Sequence, residues 1–128
     1  MTRELLLLRH GKSDWSAAVD DYHRPLKDRG KRGAQRVGVW LAQQKMDPDV
    51  IVSSPAERAL VTAEKACKAM GNGDQGIIRD ERIYGAGLSE LLKVLAECPP
   101  DAGRVMLVGH NPGLEELLEW LAIDSVPL

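Results

Sequence analysis

Three short stretches hold the residues that can do chemistry. "LLLLRHG" ends in Arg9, His10 and Gly11, "VIVSSPAER" leads to Arg58, and "VMLVGHNP" leads to His110. Each joins an apolar run to a cation or an imidazole. Arginine forks match the oxygens of a tetrahedral anion two at a time. A neutral imidazole whose Nδ1–H is held by a backbone carbonyl offers its Nε2 lone pair as a nucleophile near neutral pH. Two arginines and two histidines brought together repel one another unless an anion lies among them. A phosphoryl group is the natural guest; a carboxylate or sulfate also fits, with less use for a second histidine. In such a pocket His10 is placed to attack phosphorus, while Arg9, Arg58 and His110 hold the equatorial oxygens as charge spreads over them. The product is a covalent phosphohistidine that water then cleaves. Taken singly, Arg58 reads as a surface helix residue and His110 as a satisfied histidine at a strand end. Their shared position at strand ends is what favours chemistry.

The elements that must position them alternate. The apolar run Leu5–Leu8 predicts a strand covered on both faces. From Lys27 to Gln44, Ala34, Val37, Gly38 and Leu41 recur at helical spacing, with Gly30 and Gly33 as places of close approach to the sheet. "MDPD" ends that helix and "VIVSS" is the second strand. Ser54–Pro55 reads as a hydroxyl cap followed by a proline, opening a helix to Met70 that "GNGD" terminates. Ile77–Ile78 predicts a short third strand, and a helix over Leu88–Glu97 buries Leu88, Leu91, Leu92 and Leu95. Val105–Val108 is the fourth strand, after which Asn111–Pro112 repeats the cap-and-proline start of a helix reaching about Trp120. Strands alternating with helices predict an α/β fold, a three-layer sandwich with a mostly parallel central sheet and helices on both faces. In such sheets ligands sit beyond the carboxyl ends of the strands, where all three stretches terminate.

The whole-chain numbers bound the partners. At 128 residues the chain is expected to form one domain, and its net charge of −2 argues against nucleic acid as a partner. No stretch approaches the length of a membrane span, and the N-terminal apolar run is too short for a signal peptide, so a cytoplasmic protein is expected. Cys67 and Cys98 are far apart in sequence and in no CxxC spacing, and read as buried or half-buried thiols and not as a disulfide or metal pair.

On the stretches "LLLLRHGKSDW", "HRPLKDRGKRGAQRVGVWL", "VIVSSPAERALVTAE" and "VMLVGHNPGLEELLEWL", in this order, the chain resembles the histidine phosphatase superfamily. This is the phosphoglycerate-mutase-like or RHG group, and the likeness is greatest to the SixA-type phosphohistidine phosphatases. The resemblance implies a single histidine phosphatase domain over residues 1–128, lacking or truncated at its C-terminal strand, since relatives continue past "EELLEWL" into a further strand. It implies His10 as the phospho-accepting nucleophile, with Arg9, Arg58 and His110 completing the phosphate pocket, and neither metal nor organic cofactor. Lys12 and Ser13 are placed at the entrance, as is Asn111 through its backbone N–H, each with a surface or capping role as the alternative. Larger relatives carry an acidic general acid in an insertion that is short here, roughly residues 71–87. Glu81 is the candidate general acid and Asp80 its rival. The shortness suits a phosphoramidate leaving group, which departs readily once its nitrogen is protonated.

The expected activity is removal of phosphate from protein phosphohistidine, on a phosphotransfer domain of a signalling or sugar-uptake pathway. The alternatives are a phosphatase for a small phosphorylated metabolite or sugar, and a phosphate-binding module without turnover. A monomer is expected. Trp15, Tyr22 and His23 lie in the loop after the nucleophile, set either to touch a docked protein or to pack on their own helix.

Overall fold

The computed structural model describes residues 3–71 and 76–125. The strands Glu4–Arg9 (β1), Val50–Ser53 (β2), Ile77–Arg79 (β3) and Arg104–Gly109 (β4) form one sheet in the order β1-β4-β2-β3, every pairing parallel. The helices are Asp28–Gln43 (α1), Glu57–Ala69 (α2), Leu88–Ala96 (α3) and Gly113–Ser125 (α4), with single 3-10 turns at Asp21–His23 and Glu81–Ile83. Alternation along the strands divides the core. Ile51, Met106 and Val108 pack with Leu41, Ala59 and Ala63 of α1 and α2 on one face. Val52, Val105 and Leu107 pack with Leu91, Val94, Leu114 and Leu117 of α3 and α4 on the other. Burying a side chain such as Leu107 or Leu117 is worth about 2 kcal/mol. This is the predicted sandwich, a parallel sheet with helices on both faces.

Several local expectations need correction. The central strand covered on both faces is β4, buried from Val105 to Gly109; β1 lies at the sheet edge and its leucines are only half-buried. An unbroken apolar run does not by itself tell an edge from a centre. Ser54 does not cap α2, which starts at Glu57 after Ala56 and has no side-chain cap; its hydroxyl accepts from the Ala56 N–H at 3.2 Å and is used elsewhere. Asn111 likewise donates its side-chain amide to Glu115 Oε1 at 3.0 Å, and α4 begins at Gly113, past Pro112. Of the four leucines expected to be buried in α3, Leu91 is, together with Val94, while Leu88, Leu92 and Leu95 pack partly buried beside them.

The glycines of α1 sort differently from the expectation. A Cβ on Gly30 would lie 2.6 Å from Leu26 Cδ1 and 2.8 Å from the Lys12 carbonyl, so its close approach is to the loop after His10, not to the sheet. Gly33 has nothing nearer than Arg36 Nη2 at 3.9 Å. Gly38 permits the contact of α1 with α2, since a Cβ there would meet the Ala66 carbonyl at 2.3 Å. Gly71, with φ of +90°, ends α2 as expected of "GNGD", the rest of which lies outside the described residues. The expectation about a C-terminal strand also lies outside them. Among the described residues no helix is long and apolar enough to cross a membrane. Cys67 and Cys98 are buried and not joined in a disulfide.

Candidate active site

The sheet register explains why the distant stretches meet. Arg9 pairs with Gly109 across β1 and β4, so His10 and His110 leave the sheet side by side. Their ring centroids are 5.3 Å apart, edge to face. Ser53 pairs with Val108, and the Ser54 N–H donates to the Val108 carbonyl at 2.9 Å, bringing the start of α2 to the same edge. Arg58, the second residue of α2, is only 5% exposed, which excludes the reading as a surface residue. Arg9 is exposed at the rim beside His10. Arg9, His10, Arg58 and His110 therefore stand around one strand-end site.

The two imidazoles are held differently. His10 Nδ1 is 2.9 Å from the Gly11 carbonyl oxygen, so that nitrogen carries the proton and Nε2 presents a lone pair. Burial, opposed by the Gly11 hydrogen bond and reinforced by the charges of Arg58, Arg9 and Arg24, lowers its pKa and keeps the ring neutral. His110 Nε2 is 2.7 Å from Ser54 Oγ; burial and then the charge of Arg58 push its pKa down to about 4.

Arg58 is aimed by a residue that sequence reasoning did not single out. Its Nη1 donates to the Asp21 carbonyl at 2.5 Å and its Nη2 to Asp21 Oδ2 at 3.0 Å. The same carboxylate accepts from Arg24 Nη1 and, at 2.6 Å, from the Tyr84 hydroxyl. The Tyr84 hydroxyl, then Arg24 and Arg58, hold the Asp21 carboxyl well below the usual carboxylate range. Arg24 is itself buried and donates from Nε to Ser13 Oγ at 2.9 Å. The loop is closed by backbone bonds from Lys27 N to the Lys12 carbonyl and from Asp14 N to the Pro25 carbonyl, both 2.8 Å. The only advance signal was "DYHRPL" itself, an acid three residues before an arginine in a stretch without periodicity.

Arg58 Nε and His110 Nδ1 are buried and have no hydrogen-bond partner among the described residues. Buried polar groups are normally paired, and unpaired ones need an explanation. A tetrahedral oxyanion beside His10 would supply it, accepting from Arg58 Nε and, were Ser54 to donate its proton to Nε2, from an Nδ1–H of His110. Tyr84 closes the other side, its ring 5.8 Å from His110 and 5.1 Å from Tyr22.

The remaining candidates are less central. Glu81 is exposed in the turn after β3, and its carboxylate makes no hydrogen bond to the residues above. Asp80 is committed to Arg82, which also binds Glu97. Asn111 is half-buried next to His110. Lys12 and Ser13 line the concavity next to His10, with Ser13 buried against Arg24. Trp15 is 76% exposed, its ring under the Arg24 guanidinium at 3.6 Å, so it packs on a loop arginine and not on a helix. His23 is exposed and bound to Asp20. Among the described residues no group of three or more His, Cys, Asp or Glu side chains is arranged to hold a metal ion.

Comparison with known proteins agrees with this architecture. Residues 5–90 match the family model of the histidine phosphatase superfamily, branch 1. Among solved structures, a protein from Agrobacterium tumefaciens assigned as phosphohistidine phosphatase SixA superposes with a TM-score of 0.84 at 31% identity, covering 94% of this chain and 78% of that one. A protein histidine phosphatase SixA solved with tungstate has the same fold, with a TM-score of 0.78 at 24% identity over 89% of this chain and 73% of its own. An uncharacterized chloroplastic protein of Arabidopsis thaliana is 30% identical over the whole of this chain, which spans 63% of that relative's length. The chain belongs to the histidine phosphatase superfamily. In shape it is similar to the SixA proteins.

Proposed function

We propose that this protein is a phosphatase that takes a phosphoryl group from protein phosphohistidine onto His10, using its own side chains. The observation that carries the reading is the setting of His10. Its Nδ1–H is held by the Gly11 carbonyl, which leaves Nε2 with its lone pair, and two nearby buried nitrogens, Arg58 Nε and His110 Nδ1, have no partner among the described residues. A pure binder of phosphate has no need of an imidazole kept neutral.

The chemistry follows from this placement. His10 Nε2 forms a bond to phosphorus as the bond from phosphorus to the substrate nitrogen breaks, and the departing imidazole takes up a proton. Arg58, His110 and the rim Arg9 stabilise the charge on the equatorial oxygens. Water then attacks the phosphorus on His10, inorganic phosphate leaves, and Nε2 regains its lone pair. A nitrogen leaving group needs only modest help from an acid; Glu81 is our candidate for supplying the proton, and Asn111 for an additional N–H to phosphate. That a related SixA structure was solved with tungstate, a tetrahedral oxyanion, supports the reading of an anion site.

The test is phosphate release from a phosphohistidine peptide against a panel of phosphate esters, including sugar phosphates. A higher kcat/KM for the phosphohistidine peptide is expected. Preference for an ester would assign a small phosphorylated metabolite instead, and absence of turnover with retained tungstate binding would assign a binding module.

A further inference from the structure

Two concavities adjoin at the loop that follows His10. One, of about 600 Å³, is lined by Arg9, His10, Lys12, Trp15, Arg24 and Lys27. The other, of about 320 Å³, lies between that loop and α1 and is lined by Arg9, Lys12, Arg29, Gly33 and Arg36. They share Arg9, Gly11 and Lys12, and so form one trough that passes the mouth of the site. Arg29 and Arg36 are seven residues apart on α1 and project from one face. A Cβ at Gly33 would meet only Arg36 Nη2, at 3.9 Å.

The charge of this trough is unbalanced. Lys12, Lys27, Arg29 and Arg36 are exposed, and none makes an ion pair among the described residues. Some cations elsewhere are matched, as Arg82 is by Asp80 and Glu97 and Arg104 by Glu4, and others such as Lys65 and Arg79 are not; what sets these four apart is that they line adjoining concavities next to His10. Asp14, bonded to Ser16, feels the charge of Lys27 but does not pair with it. In a chain of net charge −2, four uncompensated cations beside the nucleophile are a local concentration, not a reflection of composition. They extend beyond the space that one phosphoryl group fills. Complementary charge of this kind raises encounter rates and selects partners.

We infer that the trough from Lys27 past Lys12 to Arg29 and Arg36 docks an acidic stretch of the phosphoprotein substrate, delivering its phosphohistidine to His10. The inference rests on the phosphohistidine reading above and deepens it by naming the surface that the substrate presents.

The experiment uses two synthetic phosphohistidine peptides, one flanked by aspartates and one by serines, with phosphoramidate as a small donor. The intact protein is compared with the triple variant Lys27→Ala, Arg29→Ala, Arg36→Ala. The aspartate-flanked peptide is expected to show a KM lower by about tenfold, an advantage that weakens with salt and vanishes in the triple variant. Turnover of phosphoramidate stays the same in both proteins, which shows that the variant is folded and its chemistry intact. Equal KM values for the two peptides in the intact protein, or a preference that survives in the variant, would overturn the inference. Binding of the unphosphorylated aspartate-flanked peptide, followed by fluorescence anisotropy, reads docking without catalysis. If phosphoramidate is not turned over while that peptide binds in a trough-dependent way, the phosphatase reading fails and the docking surface stands.

Discussion

Asp21 holds Arg58 through two separate groups, its backbone carbonyl at 2.5 Å and its carboxylate at 3.0 Å. A buried guanidinium on α2 is thus oriented by a loop 37 residues earlier in the chain. The carboxylate simultaneously engages Arg24 and Tyr84, so one exposed side chain organises three others around the phosphate site. Two of the three Arg58 nitrogens are turned toward Asp21, and Nε is left buried without a partner among the described residues.

Asp21→Asn tests this arrangement. The amide keeps the shape but loses the charge, and its NH₂ opposes one of the three donors. We expect kcat/KM to fall about tenfold, with weaker tungstate binding, in the range of one charge-assisted hydrogen bond. Steady-state kinetics and tungstate inhibition measure both. Unchanged values would show that Arg58 is positioned by α2 alone.

Ser54→Ala removes the partner of His110 Nε2, 2.7 Å away. The ring then loses the contact that selects its tautomer, and the Ala56 N–H loses its acceptor. We predict a fall in kcat of about tenfold with KM little changed, and a stability loss of about 1 kcal/mol. Kinetics with urea unfolding of the same variant separate the two effects. A change in KM alone would contradict this role for Ser54.

Acid sensitivity follows from the histidines. Burial lowers the pKa of His10 and takes that of His110 from 6.5 down to about 4. The unfolded chain takes up these protons as pH falls through 6.5, whereas the folded chain resists until lower pH. Their contribution to stability is therefore complete above pH 6.5 and is lost as the pH falls toward 4. Asp21, with its carboxyl lowered, contributes stability that is present above the ordinary carboxylate value of 3.8 and is lost as the pH falls from there through its folded value, at the acid end of the histidine window. The urea midpoint is expected to drop across the histidine window, and His110→Gln to flatten the drop. A midpoint as steep in His110→Gln as in the parent protein would contradict the assignment.

The α1–α2 contact gives a paired prediction. Gly38→Ala forces a methyl group to 2.3 Å from the Ala66 carbonyl and is expected to cost about 2 kcal/mol or more. Gly33→Ala meets nothing nearer than 3.9 Å and is expected to stabilise by about 0.5–1 kcal/mol through helix propensity. Thermal unfolding of both variants checks the opposite signs.

The periodic parts of the molecule were legible from residue types, because burial imposes spacing on strands and helices. Arg9, His10, Arg58 and His110 were legible as well, since parallel topology puts strand ends at one edge. Asp21, Arg24 and Tyr84 were not, because a loop has no period to betray which side chain turns inward. Ser54 was misread for a physical reason: a serine before a proline looks the same whether it caps a helix or binds a histidine. The leucines of β1 misled because an apolar run reports hydrophobicity and not the number of neighbouring strands.

Transfer of phosphate to His10 is tested most directly by rapid quenching with a phosphohistidine peptide, followed by mass spectrometry of the protein. The account predicts one phosphoryl group per chain, stable to base and labile to acid, located on His10 and lost in His10→Ala together with phosphate release. Phosphate release that continues unchanged in His10→Ala, with no phosphorylated protein trapped, would contradict it.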